Sequence, residues 1–372
     1  MNIETAKISP KYFVFSVICF IHSSSLLVSF FNTLVEQDSW MIVVFGTLCT
    51  IPLLLLYSWL ANRFQGKNLM EMTTEIFGTA IGKMFSALYL WFFITLTALN
   101  LLDLTTFVQK SMMTTTPSIV IALVFLFVCS LSVRGGLFSI TKYGPFVAIL
   151  ASSILIIATI LSINLVEPDN LLPLFDFPHM KYMQATHIAA SIPFGELIAF
   201  LMISGNVKIE PKKFKKIFIW GLLLGCLNLL ILILRDTMVL GNTAKLFSIA
   251  SFEVLRLINI SDALSRMEVL SAVVLIMQLF FKVSFLYYIS ALGAAQLFNL
   301  SSFKPLIYGI GLVVIVYTYG LYDSSLKHVK MAMSVTPFFW MLFEFVIPII
   351  MLVTALARKK QVKLPLQEDY NI

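Results

Sequence analysis

Charge is scarce in this sequence. Asp, Glu, Lys and Arg make up 12% of its 372 residues, about half the share of an ordinary soluble domain. A solvated globular surface of the usual kind is thereby excluded. Cysteine is scarce too. Cys19, Cys49, Cys129 and Cys226 all lie in apolar runs and none forms a CxxC pair. They read as small hydrophobes, which excludes a disulfide scaffold or a thiolate metal site. The four scattered histidines add no metal-ligand set. Gly135-Gly136 and Gly309-Ile310-Gly311 have no lysine-serine at the required spacing and no preceding strand. They are not nucleotide loops, so no nucleotide-driven module, cofactor or enzyme chemistry is expected. The first apolar segment runs on from Pro10 without a small-residue cleavage pattern, and is expected to stay as a span.

What the chain does have is apolar length. Hydrophobic residues make up 59%, with 33 phenylalanines, and the mean hydropathy is +0.94. Apolar stretches long enough to cross a hydrocarbon core of ~30 Å recur from end to end. Ten spans are expected, at about 10–31, 39–60, 84–109, 119–133, 142–165, 186–204, 214–235, 268–293, 304–321 and 334–356. The fold class is therefore an all-α polytopic membrane protein, with 1–372 as a single transmembrane domain.

Basic residues set the direction. With the N-terminus inside, 17 lysines and arginines fall on the inner side: Lys7, Lys11, Arg63, Lys67, Lys83, Arg134, Lys142, Lys208, Lys212, Lys213, Lys215, Lys216, Lys304, Arg358, Lys359, Lys360 and Lys363. Eight fall outside, namely Lys110, Lys181, Arg235, Lys245, Arg256, Arg266, Lys327 and Lys330. Both termini are expected in the cytoplasm, with residues 357–372 as a cytoplasmic tail, loose after Lys363. The lysine cluster 208–216 suits anionic lipid headgroups. A short interfacial helix is expected over Met70–Phe77, closed by Gly78. Outside, a mildly amphipathic piece is expected near Ala250–Ile258. Arg235-Asp236 reads as a solvated boundary pair.

Two spans look breakable. Span one carries His22-Ser23-Ser24-Ser25 near its middle, and serine hydroxyls compete with the helical ladder. Span six carries Ser191-Ile192-Pro193-Phe194-Gly195-Glu196. Pro193 removes a backbone donor and Gly195 permits unwinding. Freed backbone at that depth belongs in protein or along a wet cavity. These are the first helices of two five-span halves, 10–165 and 186–356, which run in opposite directions and form an expected five-plus-five inverted repeat. A plain proline kink, or serines in a packing face, is the bland alternative.

Ionisable groups inside spans mark candidate function. Glu196 follows the break of span six. Lys282 lies in the middle of span eight, too deep to reach water easily, with Glu196 or Glu344 of span ten as its partner. Asp103 of span three, Asn228 of span seven and His22 of span one serve equally well as interhelical hydrogen-bonding groups.

With these residues in view, the chain resembles the B subunit of the endospore nutrient-germinant receptors. That is the spore germination permease family, within the amino acid–polyamine–organocation superfamily. The likeness covers about residues 8–358. It rests on the ten-span plan, the aromatic first span ending before an acidic loop and Trp40, the Pro193-Phe194-Gly195-Glu196 segment, and Arg266-Met267-Glu268 leading into Phe281-Lys282. The resemblance implies the fold of the sodium–leucine symporter type, with helices one and six broken around a central pocket. It implies a germinant-receptor A subunit and a lipoprotein C subunit as partners, and a location in the spore inner membrane. By position, the pocket would be lined by His22, Ser23, Ser24, Ser25, Pro193, Gly195 and Glu196, with Asp103 and Lys282 added. The family's glycine-rich first break is here a serine run. The implied function is sensing of a small nutrient, such as an amino acid, that triggers germination. The alternatives are a secondary amino-acid transporter, with or without proton coupling, and a small-solute conduit. No nucleic-acid partner is expected; lipids are.

Overall fold

The structure is a computed structural model that describes residues 3–247, 249–258, 267–322 and 324–362. Arg266, expected at the start of span eight, and the tail from Lys363 lie outside the described residues.

Helix α1 (Pro10–His22) starts where Ser9 caps the Tyr12 amide and Pro10 occupies the first turn, a position that needs no amide donor. A tighter 3₁₀ stretch, Ser23–Leu27, joins it to α2 (Val28–Val35). A turn at Glu36–Asp38 then leads into α3 (Ser39–Arg63). Asp38 is buried and accepts from the Phe175 amide at 3.0 Å and from the Tyr182 hydroxyl. It thereby ties this turn to α8 (His179–Ala189).

The expected interfacial helix is α4 (Leu69–Phe77), with a reciprocal capping box between Asn68 and Glu71. It ends at Gly78, whose φ of 88° suits a residue without a Cβ. Leu69, Met70, Met72, Thr73 and Ile76 are buried, chiefly against α5 (Thr79–Ser111). This helix is thus part of the protein interior, more than a surface float. The remaining helices are α6 (Ser118–Arg134), α7 (Gly136–Leu161), α9 (Pro211–Leu240), α10 (Ala250–Leu257), α11 (Met267–Leu297), α12 (Ile307–Gly320), α13 (Ser325–Ser334), α14 (Thr336–Met341) and α15 (Ile347–Ala357).

Among the described residues, seven helical stretches are long and apolar enough to cross a membrane. The first, Pro10–Arg63, is 54 residues long and takes in both the first and the second expected span, divided at Glu36–Asp38. Two shorter apolar helices, Ser118–Arg134 and Lys304–Gly320, occupy the expected fourth and ninth spans.

Apolar side chains cover the outside as well as the inside. Val120, Leu123, Val124, Phe127 and Leu131 form an exposed stripe on α6, and Phe146, Ile149, Ile156 and Ile160 another on α7. Stripes of this extent need lipid against them. The centre is built by α1, α5, α7, α9 and α11, with α3 packed on α9. Near the N-terminal face it is filled by rings. Phe13 and Phe20 meet Phe200 at 5.5 and 5.4 Å, and Phe200 stacks on Phe285 at 4.8 Å, within the range of favourable aromatic pairs.

Two backbone bridges close the same face. Ile8 pairs with Val207, its amide donating to Asn206 and its carbonyl accepting from Lys208, both at 2.9 Å. Phe64 pairs with Val362.

Candidate functional site

Span one breaks where its serines sit. The Ser23 hydroxyl donates to the Phe20 carbonyl at 2.6 Å, and Ser24 reaches the same carbonyl at 3.5 Å. Side-chain donors on that carbonyl favour the tighter 3₁₀ turn.

Span six breaks at its proline. α8 runs into a π-type stretch, Ala190–Phe194, in which Ile192 leaves helical geometry altogether (φ −117°, ψ 93°). It resumes as a 3₁₀ helix, Gly195–Met202. Pro193 cannot donate to the ladder, so the α-helix cannot pass through it. Gly195 is required for space: an added Cβ would lie 2.8 Å from the Ala190 carbonyl oxygen and would collide with the Glu344 carboxylate.

Lys282 joins the two breaks. Its ammonium lies 2.8 Å from Glu196 Oε2 and donates to the Ser24 hydroxyl oxygen at 2.8 Å. It also sits 4.5 Å from the centre of the Phe20 ring. Lys282 and Glu196 are 1% and 3% exposed, so the pair is desolvated and each charge depends on the other. Of the two partners open to Lys282 in the sequence, the structure selects Glu196.

A small cavity opens beside this pair, lined by Asp103, Asn100, Glu196, Lys282, His328 and Ile192 among others. His328 Nδ1 lies 3.6 Å from Asp103 Oδ1. His328 carried no signal in the sequence, since it sits in a polar segment between spans. Of the anticipated residues, Ser24, Asp103, Glu196 and Lys282 come together here. Pro193 and Gly195 shape the backbone beside them.

His22 and Ser25 point elsewhere. They line a second small cavity, with Arg235, Asp236, Ser251 and Gln278. This corrects the expectation for Arg235-Asp236. Far from being solvated, the two are 2% and 1% exposed, with Arg235 Nε and Nη2 donating to Asp236 Oδ1 at 2.9 and 2.6 Å. The Ser251 hydroxyl donates to Asp236 Oδ2. α9 continues past them to Leu240, and α10 packs over the pair. Asn228 bonds Ser152 at 2.8 Å, an interhelical hydrogen bond.

Span ten contains a second π-type stretch, Leu342–Val346, with Glu344 in it. Tyr57 donates to the Glu344 carbonyl at 2.6 Å and Tyr89 to the Phe343 carbonyl at 2.9 Å. π stretches inside helices are frequent at functional positions.

Discontinuous helices meeting at a buried ion pair, inside an apolar multi-helix body, define an all-α polytopic membrane protein of the transporter type. The fold is that of Mhp1, a nucleobase-cation-symport-1 family transporter. Its closed conformation with bromovinylhydantoin bound matches with a TM-score of 0.61 at 15% identity, covering 88% of this chain and 75% of that one. Its inward-facing conformation matches with a TM-score of 0.58 at 16% identity, covering 96% and 79%. The fold is thus related to the inverted-repeat transporter fold.

The family described as spore germination protein matches residues 7–325, and the chain belongs to that spore germination permease family. Spore germination protein KB of Bacillus subtilis (strain 168) is 24% identical over 367 residues, spanning 96% of this chain and 97% of its own. The putative spore germination protein YfkT of the same organism is 25% identical over 263 residues, spanning 70% and 72%. This kinship with permeases and transporters fits a non-catalytic membrane protein.

Proposed function

We propose that the chain is a solute-binding permease of spore germination, in which a small zwitterion such as an amino acid binds where spans one and six break. The observation that carries this reading is the Lys282–Glu196 pair at the meeting point of the two breaks. An amino acid carries one cation and one anion. Its carboxylate can take the ammonium of Lys282 and its amine the carboxylate of Glu196, so every buried charge stays paired. Ser23, Ser24, the backbone freed at Pro193 and Gly195, and Asp103 supply further polar contacts. His22 and Ser25 line the approach from the second cavity. The transporter fold supports alternating access around this point.

In this reading ten spans cross the membrane, with 10–165 and 186–356 as inverted repeats. Both termini and the tail 357–372 face the core side of the spore inner membrane. A second reading is favoured by the germination family itself: the same pocket senses a nutrient, and the germinant-receptor A subunit and lipoprotein C subunit read the change as a population shift.

Purified protein in liposomes separates the readings. Radiolabelled amino acids are expected to bind saturably and to exchange across the bilayer, with binding weakened at least ~10-fold by Glu196→Gln. Saturable binding without exchange selects the sensor. Absence of binding for the whole amino-acid panel removes the zwitterion site.

A further inference from the structure

Glu344 is the one strongly polar side chain of span ten's central stretch, and its surroundings do not suit a carboxylate. It is 0% exposed, and neither carboxyl oxygen has a hydrogen-bond partner. The donors that could have served it are engaged elsewhere. The Tyr57 and Tyr89 hydroxyls bond backbone carbonyls of the same π stretch. The ammonium of Lys282 is held by Glu196 and Ser24. An ionised carboxylate left in this state is strongly disfavoured, whereas the neutral acid is tolerated.

The location gives the acid something to act on. The Glu344 carboxyl and the Ala190 carbonyl both lie against the α-carbon of Gly195, where no Cβ could be accommodated. Span ten therefore rests its only acid on the interrupted stretch of span six. The titratable groups facing it are Glu196 from span six, Tyr57 from α3 and Tyr89 from α5. The flanking α14 and α15 contribute none.

We propose that Glu344 is a proton-binding site, carrying its proton in the helix arrangement seen here, and that loss of the proton releases span ten from the break of span six. On release the carboxyl O–H bond breaks, the proton passes to water admitted along the opening break, and the carboxylate is left hydrated; nothing is oxidised or reduced. Repulsion from Glu196 then favours separation of the two stretches. The role in solute movement rests on the central-site reading, but the proton site itself does not.

Infrared difference spectroscopy on the purified protein in lipid tests the site without any solute. The wild type is expected to show, at neutral pH, the carbonyl band of a protonated, unhydrated carboxyl. The band disappears in Glu344→Gln and persists in Glu196→Gln. Trp340, four residues before Glu344 and 5.2 Å from the Phe92 ring, reports the movement. Its emission, isolated by subtracting Trp340→Phe, is expected to shift on raising the pH together with loss of the band, and to stay constant in Glu344→Gln. A neutral-pH wild type without the band, or a band that survives Glu344→Gln, overturns the site. A band that titrates with no change in Trp340 emission overturns the release of span ten. Should Glu344→Gln fail to assemble, Glu344→Asp keeps the acid, and a displaced band supports the assignment while an unmoved one overturns it.

Discussion

Lys282 is surrounded by a carboxylate, a hydroxyl and the face of a ring, three environments that each stabilise a desolvated ammonium. Removing only one member of the pair strands the other. Lys282→Met is expected to lower stability by about 3–5 kcal/mol, and Lys282→Met with Glu196→Leu to recover most of that loss. Denaturant unfolding in detergent micelles, comparing the single and double variants, reads the difference. If the double variant is no better than the single one, the pair is not the dependency described. The sequence identified Lys282 and two acids deep enough to meet it. It did not choose between them because helical register is uncertain across an irregular stretch. The extra residue per turn at Leu342–Val346 rotates the residues beyond it by about 100° relative to a continuous α-helix. Periodicity alone does not reveal such a stretch.

At the scale of elements, the two breaks were legible because each has a local chemical cause: a hydroxyl run in one, a proline in the other. The burial of Arg235-Asp236 was not legible, because α9 runs beyond the pair to Leu240 and α10 covers it. Neither the true helix end nor the packing of α10 is encoded near the pair. α4 shows the same division. Its acidic, amphipathic start and its closing Gly78 were readable, but its burial was not. An amphipathic helix carries the same pattern whether its apolar face meets lipid or another helix. Asn68→Ala removes one half of the Asn68–Glu71 box and is expected to cost about 1 kcal/mol. Hydrogen exchange should show faster exchange over 69–77 with the middle of α3 unchanged. Equal acceleration in both would mean that α4 is not held by its cap.

For the whole molecule, the bridge between Ile8 and Val207 couples the entry of span one to the exit of span six. In the arrangement seen here the two broken helices are therefore joined at this end, and access to the central site from this end requires the junction to part. Lys7 Nζ reinforces the junction by donating to the Gly205 carbonyl at 2.8 Å. Cysteines at Ile8 and Val207, oxidised to a disulfide, are expected to abolish solute exchange in liposomes while leaving equilibrium binding within about twofold, and reductant should restore exchange. A twofold change in binding corresponds to about 0.4 kcal/mol. Exchange that continues through the cross-link would place the moving boundary elsewhere. The apolar spans and their order were readable in the sequence because each is a local property. This bridge was not, because it links positions 199 residues apart through backbone atoms that any side chain could supply.

The buried pair of Lys282 and Glu196 also has an electrical meaning. A unit charge moved across a membrane potential gains or loses about 2.3 kcal/mol per 100 mV. A matched cation and anion that travel together gain nothing, and neither does a zwitterion seated between them. In the proposed reading, the central site would therefore alternate between sides whether the membrane is polarised or not. Any dependence on voltage would have to enter through a charge outside the pair.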